Sequence, residues 1–185
     1  MRIIYIGERY RTNMRFLTNI HLCGSCAGCS LFVIMIGGDI VQNVFDTAKY
    51  ILERLGEMST MKLQKLCYYC QAWSLVWDDK PLFEEDFHAW ENGPVCKELF
   101  YQTQGRFSVK AEDEPGDPEN LTACQKESID IVLEHYSKHN AQWLSQLTHM
   151  EDPWKNAHSG TPSGALCDNV ISKESMAQYY GGLDG

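Results

Sequence analysis

Residues 60–77, TMKLQKLCYYCQAWSLVW, decide the fold, because their apolar positions recur at helical spacing around most of a cylinder. Leu63, Leu66, Cys67, Cys70, Trp73 and Trp77 mark one side, and Tyr69, Ala72 and Val76 widen the stripe. A helix this apolar all round belongs at the centre of a domain, starting at Ser59 or Thr60. Its few polar positions, Lys62, Gln64, Lys65 and Gln71, must either reach solvent or meet a partner.

The flanking segments supply cover for that helix. Upstream, Val41, Val44, Phe45, Ala48, Ile51, Leu52 and Leu55 form an amphipathic stripe, with Asp39 and Gln42 placed as a capping box and Gly56 as terminator. Downstream, Asp78 to Pro81 reads as a turn, and Phe83, Glu85 and Phe87 alternate with Glu84, Asp86 and His88 in a short strand ending at Trp90. Pro94 then fits the first position of a short helix from Val95 to Gln104. Phe107 to Val109 is expected to pair with the first strand, and Glu112 to Asn120 to form an acidic loop. Further helices are expected from a Thr122–Gln125 capping box to about His139, from Asn140, from Asp152-Pro153, and from Ser172 to a stop at Gly181-Gly182. The fold class expected is mainly α, a compact multi-helix domain over residues 39–185 with a small β-hairpin-like element.

Residues 1–38 lack a sustained helical or strand period and are expected to be a poorly ordered extension, or to precede a true start at Met35. Their apolar run Leu31 to Ile36 is far short of the roughly 20 residues that cross a bilayer. Phe16-Leu17 and the small residues from Cys23 to Cys29 resemble a secretory or lipoprotein signal only in outline. Cys23, Cys26 and Cys29 have the spacing that opens a ferredoxin cluster motif, but Val33 stands where the fourth cysteine belongs. A zinc site would have to recruit His21, Cys67 or Cys70. No cofactor is expected.

The formal net charge is −9, and from Asp39 onward 12 basic residues face 24 acidic ones. Such a body repels phosphate, so a nucleic acid is not the expected partner and a basic protein surface suits it better. The cysteines after position 39 lack the spacing of a disulfide scaffold and read as reduced, cytoplasmic thiols.

The search for chemistry returns little. Cys67 and Cys70 have redox spacing but lie mid-helix, away from the dipole that lowers a thiol pKa. His135 and His139 sit four apart without the intervening glutamate of a zinc protease. No nucleophile elbow or phosphate-cradling glycine loop occurs, and the chain is expected not to be an enzyme. Two features remain: the corner Trp90-Glu91-Asn92-Gly93-Pro94-Val95, and the row Lys65, Tyr69 and Gln71 on the central helix. They are either a tight corner beside a core helix or anchors for a bound protein. The candidate protein-binding residues are therefore Lys65, Tyr69, Gln71, Trp90, Asn92, Gly93 and Pro94.

Taken in order, VFDTAKYILERLG (44–56), MKLQKLCYYCQAWSLVW (61–77), PLFEEDFHAWENGPVCKELF (81–100), AQWLSQLTHMEDPWKNAH (141–158) and ISKESMAQYY (171–180) resemble the Panacea domain of bacterial and phage proteins. That family includes SocA-like antitoxins and the phage-associated GepA. The resemblance implies a mostly helical cytoplasmic protein that neutralises a cognate toxin of a type II system by direct binding. In SocA-like members it also implies delivery of the toxin to a ClpXP-type protease. The alternative is a proteolytic adaptor or phage-encoded interaction protein with no dedicated toxin.

Overall fold

Ser59 opens the central helix by accepting a hydrogen bond from the Lys62 amide, and the helix runs without interruption from Thr60 to Trp77 (α2). The computed structural model describes residues 42–161 and 165–184. The readings made for residues 1–38, for Asp39 and Val41 and for the cluster Cys23, Cys26 and Cys29 lie outside the described residues. The α-helices are α1 (Val44–Leu55), α2, α3 (Lys97–Gln102), α4 (Ala123–Tyr136), α5 (Ala141–Met150), α6 (Asp152–His158) and α7 (Lys173–Leu183). Strands β2 (Phe87–Trp90), β3 (Gly93–Cys96) and β5 (Val170–Ile171) form an antiparallel sheet in the order β3-β2-β5, and β1 (Met58–Ser59) pairs with β4 (Ser108–Val109). The fold is mainly α with a small antiparallel element, as the sequence predicts.

Twelve of the 18 residues of α2 are buried, and α1, α4, α5, α7 and β3 all pack against it. Aromatic rings fill its surroundings. Tyr69 stacks on Tyr136 of α4 at 4.0 Å, Tyr68 meets Phe87 of β2 edge-on at 5.3 Å, and Trp73 lies 5.5 Å from Tyr180 of α7. Each such side chain removed from water contributes about 1.5–3 kcal/mol, and the indole N–H of Trp73 is satisfied by the Tyr136 hydroxyl at 3.2 Å.

The buried polar residues of α2 serve the loops that cover it. Gln71 donates to the Phe83 carbonyl and accepts from the amides of Leu82 and Phe83, while Gln64 donates to the Cys96 carbonyl and accepts from its amide. A loop laid across an apolar helix has buried backbone groups that need partners, and a side-chain amide on the helix supplies both donor and acceptor. Gln64, Lys65 and Gln71 therefore do not reach solvent, and only Lys62 of the four remains half-buried.

Four local expectations are corrected. α1 begins at Val44 and is capped reciprocally by Asn43 and Asp46, with Gln42 lying before the cap, and Leu55 at its end is exposed. Pro94 lies in β3, because pairing of Phe87–Trp90 with Gly93–Cys96 in hairpin register competes with helix initiation and wins. Strand Ser108–Val109 pairs with Met58–Ser59 and not with the strand before Trp90. Gly181-Gly182 lie inside α7, held there by its docking through Met176 and Tyr180.

The acidic loop is also more than a solvated strand of charge. Asp46 accepts hydrogen bonds from the Asp117 amide at 2.7 Å and from the Asn120 side chain at 3.2 Å. At Gly116 the loop crosses so close to α1 that a Cβ would lie 2.1 Å from the Phe45 carbonyl oxygen, which explains the glycine.

At the meeting point of α2, α6 and α7, the hydroxyls of Tyr69 and Tyr180 donate to one oxygen of Glu151 at 3.2 and 2.7 Å. Glu151 is only 1% exposed, and burial pushes its carboxyl up to about 8 against the opposing effect of the tyrosine bonds. It is therefore mainly protonated at neutral pH.

Candidate protein-binding site

Glu91 and Asn92 form the two-residue turn between β2 and β3, with Trp90 facing Gly93 across it. Gly93 has φ of +94°, and a Cβ there would come within 2.7 Å of Thr148 Oγ1 and 2.9 Å of Lys65 Cε. The turn is thus pressed onto α5 and α2 where only glycine fits.

Side chains hold the hairpin from behind through its carbonyls. The Trp154 indole donates to the Trp90 carbonyl at 3.1 Å, the Ser145 hydroxyl to that of Asn92 at 2.8 Å, and the Lys65 ammonium to that of Pro94 at 2.8 Å. His158 Nδ1 lies 2.9 Å from the Ala89 carbonyl oxygen, and His149 is hydrogen-bonded to the Glu91 backbone. The Trp154 ring stacks with both imidazoles, at 4.1 Å from His149 and 4.4 Å from His158. Burial, then the charges of Lys65 and His158, lower the His149 pKa, and its Nε2 is buried without a hydrogen-bond partner.

Lys65 is the costliest member of this clamp. It is 1% exposed, burial pushes its ammonium down to about 7, and one carbonyl is its only hydrogen-bond partner among the described residues. An ammonium taken out of water without a carboxylate beside it is destabilising, so holding β3 in place is achieved against a penalty.

On its outer side the hairpin borders a groove of about 480 Å³. Trp90, Val95, Tyr101 and Leu166 line it with apolar surface, and Glu91, Asn92, Lys97 and Asp168 with polar groups. Lys97 pairs with Asp168 at 2.6 Å, and Asp168 also accepts from the Trp90 indole at 3.2 Å. These bonds hold the Asp168 carboxyl below the usual range. Tyr101 is 62% exposed and Leu166 fully exposed.

Of the residues singled out in the sequence, Trp90 and Asn92 line the groove. Gly93 and Pro94 are buried behind it, and Lys65 fastens them. Tyr69 and Gln71 are buried elsewhere along α2, one on Glu151 and the other on the loop at Phe83, and present no surface to a docking protein. Sequence reasoning missed Tyr101, Leu166 and Asp168, which carry no motif and reach the groove only through folding. Burial raises the pKa of the Cys67, Cys70 and Cys96 thiols, which keeps them protonated and unreactive.

The sequence profile of the family described as antitoxin SocA-like, Panacea domain, matches residues 63–155, half of the chain. The chain belongs to this Panacea-domain family. The matched segment runs from the start of the α2 core face through the hairpin to α6, and so contains Lys65, the turn, His149 and Trp154. It leaves out Leu166 and Asp168, on the other side of the groove. Membership in the Panacea family brings with it an antitoxin-type role. No curated protein and no solved structure gives a match. Among the described residues no helix is long and apolar enough to cross a membrane.

Proposed function

We propose that this Panacea-domain chain is the antitoxin of a type II toxin–antitoxin pair, acting in the cytoplasm by direct binding of a cognate protein toxin and without catalysis. The supporting observation is how the groups around the hairpin are used. Lys65, His149 and His158 are spent on the backbone of the hairpin and Asp168 on Lys97 and Trp90, so the titratable side chains there shape a surface. A rigid corner with exposed tyrosine and leucine beside it has the character of a binding anchor.

The test is co-expression with the product of the neighbouring gene. That product alone should arrest growth, this chain should restore it, and the two should co-elute as a complex. A folded chain that neither restores growth nor co-elutes overturns the reading. Restoration confined to cells with an active ClpXP-type protease would instead identify a proteolytic adaptor.

A further inference from the structure

We propose that the groove beside the hairpin seats an arginine side chain of the toxin, its guanidinium against the Tyr101 and Trp90 rings and bonded to the Glu91 carboxylate. The inference rests on the antitoxin reading and names the chemistry of the contact.

Charge selects the occupant. Lys97 is neutralised by Asp168 at 2.6 Å, which leaves Glu91, exposed at the hairpin turn, as the net charge of the lining. The chain beyond residue 38 carries twice as many acidic as basic residues, so its field also favours a cationic partner over an anionic one.

Shape selects arginine among the cations. Trp90 packs edge-on against Phe100 at 4.9 Å, and Phe100 against Tyr101 at 5.7 Å, so the two rings of the lining belong to one supported aromatic array. A planar, weakly hydrated guanidinium gains from a ring face and a carboxylate together, whereas an ammonium remains more strongly hydrated. The 480 Å³ of the groove holds one long side chain with the backbone on either side of it, and the exposed Leu166 offers apolar cover for its methylenes.

The clamp behind the hairpin fixes this wall in the free protein. Four of its carbonyls, those of Ala89, Trp90, Asn92 and Pro94, are held by side chains, one of them the buried Lys65. Carbonyls buried against α2, α5 and α6 need such partners in any case, and supplying them from side chains also makes the turn rigid. A binding wall gains from it, because rigidity in the free state lowers the entropy lost on association.

The experiment titrates the full isotope-labelled chain with the blocked tripeptide acetyl-Leu-Arg-Leu-amide and with its citrulline counterpart, which has the same shape and no charge. Amide shifts are expected at Trp90, Glu91, Asn92 and Tyr101, with the citrulline peptide weaker by about fivefold or more. Glu91→Gln should weaken the arginine peptide to a similar degree. Lys97→Met should tighten it, because Asp168 Oδ2 then loses its cation while Oδ1 stays on the Trp90 indole. Absence of groove shifts at millimolar peptide, or equal binding of arginine and citrulline, overturns the inference. No toxin enters this measurement. If wild type and Glu91→Gln restore growth equally and the peptide does not bind, the arginine contact is wrong and the antitoxin reading stands. If the peptide binds but the wild type never restores growth, the antitoxin reading falls.

Discussion

The ammonium of Lys65 lies 2.8 Å from the carbonyl oxygen of Pro94, and through this bond the central helix grips the strand beside the groove. Neither residue reaches solvent. The arrangement combines a needed hydrogen bond with an unwanted desolvated cation, and its consequences can be separated by mutation.

Replacing Lys65 by Met removes both terms. The lost bond is worth about 1 kcal/mol, and relief of desolvation acts the other way, so the urea midpoint at neutral pH should move little. The pH dependence should change clearly. A lysine whose folded pKa is about 7, against 10.5 when unfolded, adds stability as pH rises from about 7 to 10.5 and loses it on the way down. That rise should be seen in the wild type and be absent from Lys65→Met, while the β3 amides of the variant exchange faster.

Gly93→Ala should cost about 2–4 kcal/mol, because positive φ and a Cβ at 2.7 Å from Thr148 Oγ1 act together. Gly105→Ala is the control. Gly105 has φ of +82° with nothing near its Cβ position, so only the backbone cost of about 1 kcal/mol applies. Equal urea midpoints for the two variants would show that the hairpin is not pressed onto α5.

Glu151 gives the opposite slope to Lys65. Its folded pKa is raised to about 8, so the protonated form stabilises the fold below the unfolded value of 4.5, and that contribution is lost as pH rises to about 8. Glu151→Gln should flatten thermal midpoints measured between pH 5 and 8. In the wild type, α7 should loosen first at alkaline pH, since a buried negative charge then lies at its docking contact and the bonds from Tyr69 and Tyr180 offset only part of its desolvation.

His149 makes the clamp sensitive to acid. Its folded pKa is lowered, so its contribution is present above the unfolded value of 6.5 and lost as pH falls through the folded one. Protonation would place a donor at the buried Nε2, which has no acceptor. Tryptophan emission should therefore change on acidification in the wild type, and the change should shrink in His149→Gln. An imidazole titration at or above 6.5 would contradict the lowered pKa.

Much of this fold is written locally. The Ser59, Thr122, Asn140 and Ser172 caps, the apolar stripes of α2 and α4, and the inward direction of Phe83 and Phe87 follow from propensity and periodicity acting within a few residues. The candidate binding surface is legible only at the corner, where Trp90 and Asn92 stand out in the sequence. Helical spacing could not show that Gln64, Lys65 and Gln71 turn inward, because their partners are the backbones of Cys96, Pro94 and Phe83, 11 or more residues away in sequence.

What residue order alone settled was the central helix and its caps, since these depend on neighbours three or four positions apart. Tertiary packing decided the register of β3 against β2, the clamp on its carbonyls and the groove between Tyr101 and Leu166. Those depend on which distant backbone groups lose their water together, and on where each then finds a hydrogen bond.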